Sequence, residues 1–417
     1  MPKVYLIDVT NRDAVQSARV TEAKLEKTMI NKYLSEFGVY QIEFGFPVTD
    51  HEIHYLNANL ELAEIGVFSE TRLSGWLRAI PQDVETCFKL VPKIKHLNLS
   101  ISTSDQMIAT KFGGKLDRAA VIREMEGAVK LARNLGAESI GVNAEDASRT
   151  NMNYLIEFSL AAKEVGADRV RYCDTLGYDS PFSIYERIGK LAENIRIPIE
   201  LHCHNDLGMA VANTVAGVKG ALDVGVDAYP NTTILGIGER AGNADLFSTV
   251  LAFKFASGFE GKIDLDLEPS LIWEMANYVA LAFNRAIPEN QPAVGKNAFA
   301  HSAGIHVDAT LKGESSSPYE LYDFRLIGRG EPEIKPSGRE IIFGQYSGLN
   351  TLLYYYRQLG IKPRGEKEDR IILSLARDAN IHLQRPLVEE EFRFLINYPK
   401  MVAKLMTFTP AEDLGLT

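Results

Sequence analysis

Residues 139–175 read SIGVNAEDASRTNMNYLIEFSLAAKEVGADRVRYCDT. A β-rich run at 139–145 gives way to apolar residues at helical spacing over 154–165. Gly166 stands where a helix would end, and a second β-rich run follows at 169–175. Strand, helix and strand in that order make a parallel pair joined by a crossover helix. The unit recurs in both directions along the chain. Candidate strands fall at 4–10, 40–46, 72–79, 96–102, 139–145, 169–175, 198–204 and 228–236. Helical patterns such as 22–37, 120–135, 154–165 and 210–224 lie between them, ending at Gly38, Gly136, Gly166 and Gly225, where a C-cap belongs. Eight strand–helix units in about 250 residues predict an α/β fold of the TIM (β/α)8 type. An open doubly wound sheet needs fewer units, and no GxGxxG follows the first strand.

The predicted organisation is a catalytic barrel over 1–260, a linker subdomain over 261–345 and a helical C-terminal subdomain over 346–417. Residues 268–286 read as a helix with Pro269 in its first turn. Residues 288–318, rich in Pro, Gly, Ser and Asn, read as a long linker containing GKNAFAHSAGIHVDA. Helices are predicted near 348–359, 366–382 and 388–405, with Tyr354, Tyr355 and Tyr356 as packing surface.

Composition narrows the function. The chain has 417 residues, 46% hydrophobic and 24% charged, which excludes extensive disorder. Its net charge of −10, with no basic run interleaved with aromatics, argues against a nucleic-acid partner. No apolar run approaches the ~18 residues of a bilayer span, so no membrane partner is expected. Three scattered cysteines, Cys87, Cys173 and Cys203, fit a reducing, cytoplasmic compartment.

In such a barrel the chemistry sits at the C-terminal ends of the strands. Strand one ends in DVTNRD, strand five in Asn143-Ala144-Glu145-Asp146, strand six in Arg171-Tyr172-Cys173-Asp174-Thr175 and strand seven in His202-Cys203-His204-Asn205-Asp206. Side chains alternate faces along a strand, so His202 and His204 share one side and Cys203 takes the other. Two imidazoles and the Asp13 carboxylate make a three-ligand site for a catalytic divalent metal, with positions open to substrate. In the loop after strand eight, Asn243 is placed to add a fourth, oxygen ligand. Arg12 beside Asp13 reads as an oxyanion stabiliser. Arg171, pointing inward if Tyr172 points out, reads as a bidentate clamp for a substrate carboxylate; a structural ion pair with Glu145 or Asp174 is the alternative.

These residues, in this order, resemble the acyl-CoA-condensing branch of the DRE-TIM metallolyases, which includes isopropylmalate, citramalate and homocitrate synthases. The resemblance rests on NRDAVQ, IEFGFP at 42–47, NAEDASRT at 143–150, RYCDTLGYDSP at 171–181, ELHCHNDLGMA at 200–210, NTTILGIGERAGNADL at 231–246 and VGKNAFAHSAGIHVDA at 294–309. It implies a Claisen-type condensation of acetyl-CoA with a 2-oxo acid, followed by thioester hydrolysis, on a bound divalent metal (Mn, Mg, Zn or Co). It further implies that Glu145 and Thr175 surround the acyl group, that Gln16 contacts substrate, and that His306 in GIHVDA is the base. In this family the segment carrying that histidine crosses to a partner's barrel, which implies a homodimer with a site completed in trans. The chain departs from the family's pattern at Ala14 and Val15 before Gln16, at Met107, and at Gln345 and Tyr346.

Arg171 looks like the homocitrate-synthase subgroup, and the DVTNRD, RLSGW and HLNLSISTS stretches look like the Re-citrate synthases. Together they point to a dicarboxylic acceptor, oxaloacetate ahead of 2-oxoglutarate, with isopropylmalate or citramalate synthesis behind. A regulatory domain is not expected after GIHVDA. Two other readings compete: a metal-dependent carbon–carbon lyase on the same barrel, and a non-catalytic scaffold with a structural metal.

Overall fold

In the computed structural model, residues 2–68, 70–259, 263, 265–312, 318–330 and 342–407 are described. Eight parallel strands close in sequential order: β1 (Ile7–Asp8), β2 (Gln41–Gly45), β3 (Arg72–Arg78), β4 (His96–Ser102), β5 (Ser139–Glu145), β6 (Arg169–Asp174), β7 (Ile199–Cys203) and β8 (Ala228–Thr232). The helices are α1 (Thr10–Asp13), α2 (Lys24–Phe37), α3 (Ile53–Glu64), α4 (Pro81–Leu90), α5 (Asp105–Lys111), α6 (Arg118–Asn134), α7 (Met152–Glu164), α8 (Pro181–Ile195), α9 (Ala210–Asp223), α10 (Leu246–Phe255), α11 (Ile272–Ala282), α12 (Gly304–Lys312), α13 (Leu349–Gln358), α14 (Glu366–Leu383), α15 (Glu389–Asn397) and α16 (Pro399–Met406). The architecture is the TIM barrel that the strand–helix count predicts.

The local causes are plain. Ile184, Ile188, Leu191, Ala192 and Ile195 make one buried stripe on α8, the period that turns a helix towards a sheet. Side chains of Ser104, Asp117, Asn151, Ser180 and Asp245 accept first-turn N–H groups at the starts of α5, α6, α7, α8 and α10. Gly38 ends α2 at φ 96°, a conformation that a side chain disfavours.

Strand one is shorter than the predicted 4–10. Asp8 Oδ1 accepts the Thr10 N–H at 2.8 Å, and Val9 O accepts from Asp13 N at 2.7 Å. The chain therefore winds into α1 and delivers Arg12 and Asp13 to the barrel mouth. Strand eight likewise stops at Thr232, and a 3-10 turn with Leu235 at φ 60° replaces its predicted end.

Two expectations outside the barrel need correction. The predicted linker at 288–318 contains the helix α12, which carries His306. The helix predicted at 388–405 is two, α15 and α16, broken at Tyr398 ahead of Pro399. The C-terminal helices dock on the barrel's flank. Arg385 pairs with Glu26 of α2 at 2.8 Å and Glu391 at 2.7 Å, Tyr278 of α11 donates to Glu391 at 2.7 Å, and Lys404 pairs with Glu61 of α3 at 2.5 Å. The tyrosine run packs as predicted for two residues: Tyr356 is buried, and Tyr355 sits against Phe343 and Phe392. Among the described residues no helix is long and apolar enough to cross a membrane.

Candidate metal centre at the barrel mouth

Inside the barrel, beneath the mouth, lies a layer of charge. Arg171 of β6 is 1% exposed; its Nε donates to Glu200 Oε2 at 2.5 Å and its Nη2 to Glu43 Oε1 at 2.6 Å. Arg169, two residues earlier on the same face, bonds Glu200 and donates to Gln41 at 2.9 Å. Asn98 donates to Glu43 at 2.5 Å. Gly141 of β5 leaves the room: a Cβ there would lie 2.1 Å from Asn98 Oδ1 and 2.9 Å from Glu200 Oε1. Burial alone would raise the Glu43 carboxyl, but the charges of Arg171 and Arg12 outweigh it and hold it at about 2. Glu43 is thus an anion bridging two guanidiniums.

Arg12 connects this layer to the mouth. Its Nε donates to Glu43 at 2.5 Å and its Nη1 to Asp13 Oδ1 at 2.6 Å. Its Nη2 has no partner among the described residues. The bond to Oδ1 turns the other carboxylate oxygen, Oδ2, towards the histidines.

The corner itself is built by three segments: the end of α1, the end of β7 and the loop after β8. His202 belongs to β7, and His204 follows it and pairs through its backbone with Asn243 in the loop after β8. As predicted, the two imidazoles share a side: their Nε2 atoms are 3.2 Å apart, and His202 Nε2 is 3.8 Å from Asp13 Oδ2. One ligand atom from each of Asp13, His202 and His204 falls within 4.8 Å of the others, and all three residues are buried. Asn243 reaches the same place, with Nδ2 3.4 Å from His202 Nε2. Gly238 clears its path, since a Cβ there would meet Asn243 Oδ1 at 1.6 Å.

The electrostatics suit a cation. Burial is the main cause holding His202 well below the usual histidine range, and it lowers His204 too, so both are neutral and able to coordinate. Burial would raise Asp13, but Arg12 and the two histidines, with the amide of Asn243 nearby, bring it down to about 2. Asp13 Oδ2 and Asn243 Oδ1 are buried with no hydrogen-bond partner, as is His204 Nδ1. Buried polar atoms are normally satisfied, so the orphaned Asp13 Oδ2 among facing imidazole nitrogens fits a divalent cation, while Asn243 as it stands turns Nδ2 to His202 and Oδ1 to Gly238.

The other predicted residues are distributed unevenly. Arg171 needs correction: its guanidinium is taken up by Glu43 and Glu200, leaving no free fork for a substrate carboxylate, and its partners are neither Glu145 nor Asp174. Glu145 ends β5 at the rim, accepting from Ser102 and held by Lys111 at 2.7 Å. Thr175 Oγ1 accepts the Asp146 N–H at 2.9 Å, tying two rims together. Gln16 is exposed at the end of a 3-10 turn, outside the buried corner. His306 is exposed on α12, stacked on Tyr319 with ring centroids 4.0 Å apart, and is not brought to the corner within this chain. Glu43 and Glu200 had escaped the sequence reading; each is a carboxylate inside a fully buried strand, sharing its face with Gln41 and His202 respectively by one period of alternation.

Comparison with known proteins agrees with this geometry. The family model HMGL-like matches residues 3–279, and the model "Homocitrate synthase post-HMGL domain-like" matches 293–381. A citrate (Re)-synthase of Dehalococcoides mccartyi is 52% identical over 98% of this chain and 99% of that protein. A 2-isopropylmalate synthase of Caldanaerobacter subterraneus is 39% identical over 96% of each. Among solved structures, the Bacillus subtilis HMG-CoA lyase aligns with a TM-score of 0.56 at 19% identity, covering 69% of this chain and 97% of that one, a likeness of fold.

Proposed function

The chain belongs to the HMGL-like family, with a homocitrate synthase post-HMGL domain behind its barrel, and from that premise we propose that it condenses acetyl-CoA with a dicarboxylic 2-oxo acid, oxaloacetate by preference, and hydrolyses the thioester, as a citrate (Re)-synthase. The observation that carries the chemistry is the convergence of Asp13, His202 and His204 in one buried corner. A divalent cation held there, with Asn243 Oδ1 as a further donor, supplies Lewis acidity to the acceptor's keto group.

The chain's own residues do the rest. Arg12 keeps Nη2 free to hydrogen-bond the oxygen on which negative charge develops. Glu145 and Thr175 line the rim where the acyl group is held. His306, exposed on α12, is the candidate base for the acetyl methyl proton, brought to the mouth by a second copy of the chain in a homodimer.

Two findings favour the dicarboxylic acceptor. Three guanidiniums (Arg12, Arg169, Arg171) face three carboxylates (Asp13, Glu43, Glu200), so layer and corner are neutral before ligands arrive. A dication is then balanced by an acceptor with two carboxylates, whereas one carboxylate leaves a buried charge uncompensated. The 52% identity to a citrate (Re)-synthase points the same way. The cytoplasm is the setting this reading implies.

Thiol release from acetyl-CoA tests the proposal. Release is expected with oxaloacetate, less with 2-oxoglutarate, none with 2-oxoisovalerate, and none after chelation. Release with 2-oxoisovalerate alone sinks the dicarboxylate reading, and release from chelated enzyme sinks the metal.

A further inference from the structure

The helix α1 is a single turn of four residues, and no side chain caps its start. It nevertheless carries both Arg12 and Asp13, whose side chains meet Glu43 and the histidines. One turn does not hold itself, because fixing its backbone costs more than its first hydrogen bond returns. Its place is set by its neighbours. On one side Thr10 Oγ1 accepts the Ile234 N–H at 2.9 Å, tying the turn to the segment after β8. On the other side the tie is Asn11.

Asn11 turns to α2 and α3 rather than to the metal corner. Its Nδ2 donates to the Lys27 carbonyl at 2.7 Å and to Asn31 Oδ1 at 2.7 Å, and lies 3.4 Å from the Tyr55 hydroxyl. Asn31 in turn donates to that hydroxyl at 2.8 Å and to Asn59 Oδ1 at 3.0 Å. Asn59 donates to Thr28 Oγ1 at 3.0 Å and to the Tyr55 carbonyl at 2.9 Å. Asn11, Thr28, Asn31, Tyr55 and Asn59 are all 0% exposed. A chain of buried amides thus joins α2 to α3, and Asn11 couples it to α1.

Packing does not explain the choice of residue. Asn11 leaves its own Oδ1 buried without a partner, a desolvation cost that filling space gives no reason to bear. Two N–H groups aimed at two fixed acceptors do something an apolar side chain does not: they set both the rotation and the height of the turn.

We infer that Asn11 is a positioning residue of the metal centre, locking α1 onto α2 and α3 so that Asp13 Oδ2 stays aimed at His202 and His204. The inference rests on reading that corner as a cation site. Asn11 touches neither cation nor substrate; it acts through Asp13, two residues on in the same turn. A carboxylate ligand has to be held within about 0.5 Å of its place, so a small rotation of α1 is enough to weaken the site.

Three variants separate positioning from structure. Asn11→Leu removes the tie. Tyr55→Phe keeps the ring and removes the hydroxyl against which Asn11 and Asn31 are set. Thr28→Val cuts the amide chain at its far end, beside Asn59, and leaves the bonds of Asn11 in place. Mn binding to the metal-stripped full chain is read by equilibrium dialysis, with urea midpoints alongside. The Mn Kd is expected to rise about tenfold in Asn11→Leu, the loss typical of an outer support of a metal ligand, and by a smaller factor in Tyr55→Phe. Thr28→Val should leave it unchanged, although all three variants lower the urea midpoint. An unmoved Kd in folded Asn11→Leu overturns the inference, and so does an equal rise in Thr28→Val, which marks general loosening. If Asn11→Leu does not fold, Tyr55→Phe decides alone, a raised Kd supporting the inference and an unchanged one overturning it. A wild type that binds no Mn refutes the cation site and the inference with it, whereas bound Mn without thiol release refutes only the proposed reaction.

Discussion

The charged layer and the metal corner are neighbours, equally buried and equally polar, yet opposite in state. In the layer, each guanidinium and carboxylate of Arg169, Arg171, Glu43 and Glu200 has an ionic partner within the chain. In the corner, Asp13 Oδ2, Asn243 Oδ1 and His204 Nδ1 have none. The layer's ion pairs are closed by folding, though Asn98 Oδ1 among them has no partner, whereas the corner gathers an unpaired carboxylate oxygen beside two imidazoles. Polar burial, even incomplete, does not by itself mark a reactive site; an orphaned carboxylate oxygen among facing imidazoles does.

The largest expected effect breaks the corner. Asp13→Asn or His202→Ala should lower turnover by about a thousandfold or more, with stoichiometric Mn binding lost in equilibrium dialysis. Fold stability should fall less than in the layer, because Arg12 keeps its pair with Glu43 when its pair with Asp13 is weakened. If these variants keep their metal, the contrast between the two regions is wrong.

Breaking the layer should act on stability instead. Glu43→Gln strips two guanidiniums of their shared counter-ion, and denaturant unfolding should show a loss of about 3–5 kcal/mol, with metal still bound. Arg171→Met sharpens the point: about 3 kcal/mol of stability should go while the preference for oxaloacetate over 2-oxoglutarate stays. Relaxed preference at unchanged stability would return Arg171 to the role of substrate clamp.

The smallest effect concerns an orphan outside both regions. Glu22 Oε1 is buried without a partner, but among the described residues it belongs to no group of three metal-ligating side chains. Burial, opposed by Lys27 and aided by Glu26 and Glu52, raises its carboxyl to about 7. The folded state thus prefers the protonated form. That contribution is complete below the unfolded value near 4.5 and is lost as pH rises through 7. Glu22→Gln should match wild type near pH 4.5 and exceed it by about 2 kcal/mol at pH 8, read from urea midpoints at both pH values.

How much of this was legible depends on the range over which the signal acts. β4 and β5 match the predicted 96–102 and 139–145 residue for residue, since their alternation is written locally. The shared face of His202 and His204 follows from the same rule. The short β1 was missed because a single side-chain cap, Asp8 to Thr10, overrides strand propensity. The helix α12 hid in a segment whose Gly, Ser and Asn content reads as loop. The partners of Arg171 were misassigned to rim carboxylates close in sequence; Glu43 lies 128 residues away and meets it only once the barrel has closed. One strand's pattern shows which face a charge occupies, and not which charge awaits it across the barrel.

The docking of the C-terminal helices has a consequence for synthesis. Glu26 meets Arg385 only after a further 359 residues, and Lys24 hydrogen-bonds the carbonyl of Thr407, 383 residues on. At ribosomal speeds, roughly 20–70 s separate the emergence of Glu26 from that of its partner. During that interval the flank of α2 faces solvent and chaperones with its permanent cover still untranslated. A transcript cut short before codon 366 would yield eight strands and a barrel with one side left open.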